Sequence, residues 1–142
     1  MKYLSDYMNQ AQTEAFNKFG AFFAFGSKQF EEKRKPGVRY VDMGAGLVCP
    51  KESAKLLNDA LENIYQQAIK ADVSENGAAK IVEREYFNHE TQLTGDTFTM
   101  MEALSGHIEA FPELFTKELI HSTCRSCFAL AVTNDWFWVV KK

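Results

Sequence analysis

Proline is scarce in this chain of 142 residues, with three copies, and its eight glycines are scattered, so no stretch reads as a linker or a low-complexity tract. Cysteine is equally sparse. Three copies, an odd number, argue against the disulfide framework of a small secreted protein and fit a reducing compartment. No apolar run approaches the ~18–20 residues of a membrane span, and the start Met1-Lys2-Tyr3-Leu4 lacks the pattern of a secretion signal. A cytoplasmic protein with no membrane association is expected. Cationic excess is missing too: the net charge is −3, which disfavours nonspecific nucleic-acid binding. What is present is 46% hydrophobic residues and 13% aromatic ones, enough for one globular domain over residues 1–142 with its own core.

The charge is uneven. Residues 1–55 carry nine Lys/Arg against six Asp/Glu, whereas residues 72–118 carry three against ten. An acidic middle suits a basic partner surface or a set of solvated helix faces. Leu4, Met8, Ala11, Ala15 and Phe19 follow helical spacing up to Gly20, and Ala21-Phe22-Phe23-Ala24-Phe25 reads as a short buried strand. Ser27 is placed to cap a helix from Lys28 to Lys35, before Pro36-Gly37. Val38 to Met43 alternates as a second strand, interrupted by Gly44-Ala45-Gly46 and resuming at Leu47-Val48. The stripe Ala54, Leu57, Leu61, Ile64 and Ala68 predicts a helix over 51–71, and Asn76-Gly77 opens another that ends before Thr94-Gly95. Asp96 is expected to cap a helix ending near Ser105-Gly106, leaving His107 as a loop or C-cap residue. Pro112 is expected to start a long helix that turns Phe115, Cys124, Cys127 and Phe128 to the core, and Trp136 to Val140 reads as a terminal strand. The fold class is therefore α+β, with a small antiparallel sheet of about three strands covered by four to six helices.

Several groups invite a chemical reading. Asp42-Met43-Gly44-Ala45-Gly46 after an apolar strand resembles the first motif of S-adenosylmethionine-dependent methyltransferases, which makes Asp42, Gly44 and Gly46 the candidate ligand-binding residues. The third glycine of that pattern is Val48, and the downstream βα units of a doubly wound fold are absent from the pattern. His121, Cys124 and Cys127 are all zinc-ligand types, but at i, i+3 and i+6 of one helix they cannot converge on one ion, so no metal and no cofactor are expected. Core thiols are the better account of Cys124 and Cys127. Glu85 and His89, four apart on a helix, can form the minimal acid/base pair, although no nucleophile accompanies them and no catalytic set is complete. Lys28, Lys33, Arg34, Lys35 and Arg39 around Phe30 and Tyr40 form a basic stretch that Glu31 and Glu32 dilute. The aromatic end Trp136, Phe137 and Trp138, with the acidic Glu83, Glu90 and Asp96, supplies the candidate partner-binding residues, and the same end would serve homo-oligomerisation.

Phe19-Gly20-Ala21-Phe22-Phe23-Ala24-Phe25 with Gln29-Phe30, and Val41 to Lys51, resemble a family of small uncharacterised proteins of bacteriophages and prophage regions. Thr94-Gly95-Asp96 and Asn134-Asp135-Trp136-Phe137 extend the likeness. The resemblance implies a setting rather than a reaction: stoichiometric binding to a host protein or nucleoprotein complex in the host cytoplasm, including inhibition of host defence. The alternative is a small enzyme or ligand-binding protein that uses the Asp42-Gly44-Gly46 turn or the Glu85/His89 pair.

Overall fold

Gly20 ends the first helix as its position suggests. It takes the left-handed conformation, φ 71°, that lets its N–H reach the carbonyls of Phe16 and Asn17. A computed structural model describes residues 1–136, and they form an α+β structure with a three-stranded antiparallel sheet. After a 3₁₀ turn at Leu4–Tyr7 come α1 (Asn9–Phe19), β1 (Phe22–Phe23), α2 (Ser27–Lys33), β2 (Tyr40–Gly44) and β3 (Leu47–Pro50). A second 3₁₀ turn, Lys51–Ser53, leads into α3 (Ala54–Asn76), α4 (Ala78–Asn88), α5 (Thr91–Thr94), α6 (Phe98–Ala110) and α7 (Lys117–Asn134). Among the described residues seven helices exceed the expected four to six because the stretch ending at Gly95 breaks in two at His89-Glu90, where Glu90 adopts φ 54°. By contacts the chain falls into two compact units, Lys2–Ala68 and the residues from Ile69 onward together with Met1.

In the first unit the sheet order is β1-β3-β2, with Phe22 opposite Val48 and Val41 opposite Cys49. Alternation then decides the faces. Leu47 and Cys49 turn inward and pack with Ala15, Leu57, Phe16, Phe19, Leu61 and Ile64 from α1 and α3. Val48 turns the other way, toward Phe22, Tyr40 and the Phe30 ring of α2. Those three rings form a triangle with centroids 5.5–6.3 Å apart. Gly44-Ala45-Gly46 is not an interruption but the turn of a β2–β3 hairpin, because three successive positive φ angles reverse the chain. The expected buried strand at 21–25 shrinks to a two-residue pairing, with Phe23 41% and Phe25 74% exposed.

In the second unit α4 packs against α6 and α7 around Ile81, Val82, Tyr86, Met100, Leu104, Phe115 and Ile120. Three boundaries and one helix face differ from the sequence reading. Ser27 is the first residue of α2 rather than its cap. His107 lies inside α6, fully buried, because Gly106 is packed in mid-helix and does not end it. Pro112 does not start α7; Thr116 does, its Oγ1 accepting from the Leu119 N–H at 3.1 Å. Phe128 is 50% exposed, one residue round from the buried line Ile120, Cys127 and Ala131. The expected terminal strand, Phe137 and Trp138 included, lies outside the described residues.

Candidate functional site

The hairpin turn holds all three candidate ligand residues. Asp42 accepts a hydrogen bond from the Gly44 N–H at 2.8 Å, which closes the bulge between Asp42 and Gly44. Gly46, at φ 83°, has the Phe25 ring lying where its Cβ would stand, so only glycine seats that ring. The Phe25 N–H donates to Gln29 Oε1 at 2.7 Å and Lys33 Nζ donates to the Phe23 carbonyl at 2.8 Å, which fixes the backbone carrying both rings. Phe23 and Phe25 stack at 6.1 Å with their planes 8° apart. Beside them lies a hollow of about 470 Å³ lined by Phe25, Phe30, Tyr40, Asp42, Gly46 and Val48, among others. The strand leads into an antiparallel partner and not a cofactor-bearing helix, so the likeness to the methyltransferase motif ends at the sequence.

Glu85 and His89 do pair, with Nε2 3.3 Å from Oε2, but they are the outer edge of a larger buried network. Asp72 on α3 is its centre. Its Oδ1 accepts from Asn76 and Arg84 Nη1, both at 2.8 Å, and its Oδ2 accepts from Arg84 Nη2 at 2.9 Å and contacts His107 Nε2 at 2.8 Å. Arg84 also donates its Nε–H to Glu85 Oε1 at 2.9 Å. Burial alone would raise the Asp72 carboxyl. The hydrogen bonds from His107, Arg84 and Asn76, with the Arg84 charge, outweigh it and hold the group well below the usual carboxylate range. Burial likewise opposes the Arg84 charge, and Asp72 and Glu85 overcome it. An ionised Asp72 only accepts, so His107 must carry its proton on Nε2, which leaves Nδ1 buried without a partner among the described residues. Asp72 and His107 are both 0% exposed, and an aspartate–histidine pair sealed in this way holds helices together rather than meeting a substrate.

The partner-binding candidates do not gather at one place. Glu83 lies half-buried on α4, and Glu90 and Asp96 are exposed in the turns on either side of α5, where Asp96 Oδ1 accepts from the Phe98 N–H at 2.9 Å. Trp136 is half-buried with its ring edge-on to Phe87 at 5.3 Å, while Phe137 and Trp138 lie outside the described residues. Among the described residues no group of three or more His, Cys, Asp or Glu side chains is arranged to hold a metal ion. The three cysteines are free. Burial raises the Cys49 and Cys124 thiols, and burial with the nearby charges of Glu83 and Cys124 pushes Cys127 up to about 12. A maleimide should therefore label half-buried Cys124 first, with Cys49 and Cys127 reacting only on unfolding; mass mapping of the labelled peptides checks the order.

Residues 4–127 match the model of a family described as Family of unknown function (DUF7659). The chain belongs to that family. No curated protein and no solved structure matches it. The DUF7659 match contains the hairpin, the Asp72 network and both cysteines of α7, and it stops before Trp136. The network was invisible to motif reading, yet it had a signal: Leu57, Leu61, Ile64 and Ala68 continue at the same spacing to Asp72. A carboxylate on an apolar stripe calls for a buried partner.

Proposed function

We propose that this DUF7659 protein acts by stoichiometric binding to a host protein or nucleoprotein complex, in the manner of phage accessory proteins that block host antiviral defence. The Phe23–Phe25 pair is the observation that carries the reading. Two large rings, 41% and 74% exposed, are held in parallel by backbone hydrogen bonds and by Gly46, so little conformational freedom remains to be lost on binding. Lys33 stands beside them as the cation for an acidic rim on the partner, while Arg34, over the Phe30 ring at 5.7 Å, is paired with Glu31 at 3.4 Å. The phage setting comes from the resemblance of the Phe19–Phe30 and Val41–Lys51 stretches.

Phe25→Ala is the test. It should lower capture of a host protein at least tenfold while leaving the melting temperature within about 2 °C, since the ring is mostly solvent-exposed. Undiminished capture by the variant, or capture of nothing but a second copy of the chain, would sink the reading. The hollow beside Asp42 and Gly46 favours a second reading, a small ligand held among Phe25, Phe30 and Tyr40. Thermal-shift screening with nucleotides and S-adenosylmethionine addresses it, because a ligand at about 100 times its dissociation constant adds about 2.7 kcal/mol.

A further inference from the structure

A cavity of about 440 Å³ opens between α6 and the start of α7, and no residue of the Asp72 network lines it. Its walls are Met100, Met101, Ile120 and Cys124, with Thr97, Lys117 and His121 completing the lining. Met101 and Cys124 are half-buried and form the accessible wall, with fully buried Met100 packed behind them, so the wall is apolar and, through Met101, adaptable in shape. No carboxylate lines it. Lys117 and His121, one helical turn apart and both exposed, make no ion pair among the described residues. A shallower hollow next to them shares both side chains and adds Arg125 against a single acid, Glu118. An apolar chamber with a cationic edge is complementary to a molecule that has a hydrocarbon tail and an anionic head.

We infer that this cavity binds an unbranched aliphatic monocarboxylate, its tail among Met100, Met101, Ile120 and Cys124 and its carboxylate at Lys117 and His121. At about 30 Å³ per water-sized unit, which a methylene matches, the chamber has room for a tail of about a dozen carbons. This site is independent of the aromatic face described above, and its failure would leave that reading untouched.

Dodecanoate and dodecanol, titrated calorimetrically below their aggregation limits, separate the two halves of the inference. Dodecanoate should bind one to one and protect Cys124 from maleimide, and dodecanol should bind at least tenfold more weakly. Lys117→Ala with His121→Ala, both at exposed positions, should bring dodecanoate down to the affinity of the alcohol. Met101→Trp should fill the chamber and abolish binding of both, with circular dichroism confirming the fold. No saturable dodecanoate binding, equal affinity for acid and alcohol, an unaffected double variant, or labelling of Cys124 at the same rate with ligand present would each overturn it. Should Met101→Trp fail to fold, the labelling rate of the unaltered protein still decides.

Discussion

Arg84→Met is expected to lower the free energy of unfolding by about 3–5 kcal/mol, measured by urea denaturation at neutral pH. Methionine fills most of the space of the arginine stem, so packing is not the main loss. The loss is electrostatic. Asp72 and Glu85 would stay buried as carboxylates without the guanidinium that binds both, and Asp72 would keep only His107 and Asn76. Asp72→Asn in the same chain removes one of the two stranded charges and keeps an acceptor for His107. The double variant should therefore be more stable than the sum of the single losses by at least about 1 kcal/mol. Strict additivity would mean that the pair does not interact through charge.

Acid should unfold the protein through the same carboxylate. Asp72 is held below its ordinary value in the folded state, so the stability it contributes is fully present above the unfolded-state pKa of about 3.9. That contribution, on the order of 2–3 kcal/mol, is lost progressively as pH falls below about 4 toward the lower folded-state value. Asp72→Asn has no such proton to bind. Its stability should start lower at pH 7 and change less between pH 5 and pH 2, so the two curves converge in acid. Curves that stay parallel over that range would place the acid sensitivity elsewhere. At the alkaline end Cys127 acts with the opposite sign: its raised folded-state pKa gives stability that is whole below about pH 8.5 and declines as pH rises toward 12.

Helices were the legible part of this sequence. Four-and-three spacing located α1, α3 and α4, and Asn134-Asp135 ended α7 where expected, with Asp135 at φ 52°. The misreadings have separate physical causes. Gly106 and Pro112 are local signals that packing overrode: one sits buried within α6, and the other lies in the turn before α7. The hairpin was hidden because its turn residues also match a cofactor motif, and only pairing across the sheet distinguishes the two. Exposure of Phe25 could not be read from composition, since a run of aromatics between glycines looks the same whether the rings enter a core or rest on Gly46. The buried network needs three helices at once, and His107 on α6 has no local pattern that points to Asp72.

That last separation bears on the order of assembly. Asp72 is 12 residues from Arg84 and 35 from His107, so its ionic contacts form only after α3, α4 and α6 have come together. Apolar collapse around Ile81 and Leu104 can precede the fine alignment of a carboxylate with a guanidinium and an imidazole. Weakening the network should then leave the refolding rate nearly unchanged and quicken the unfolding rate. The Asp72 cluster would act as a latch on the finished unit, setting how long it stays folded rather than how fast it gets there.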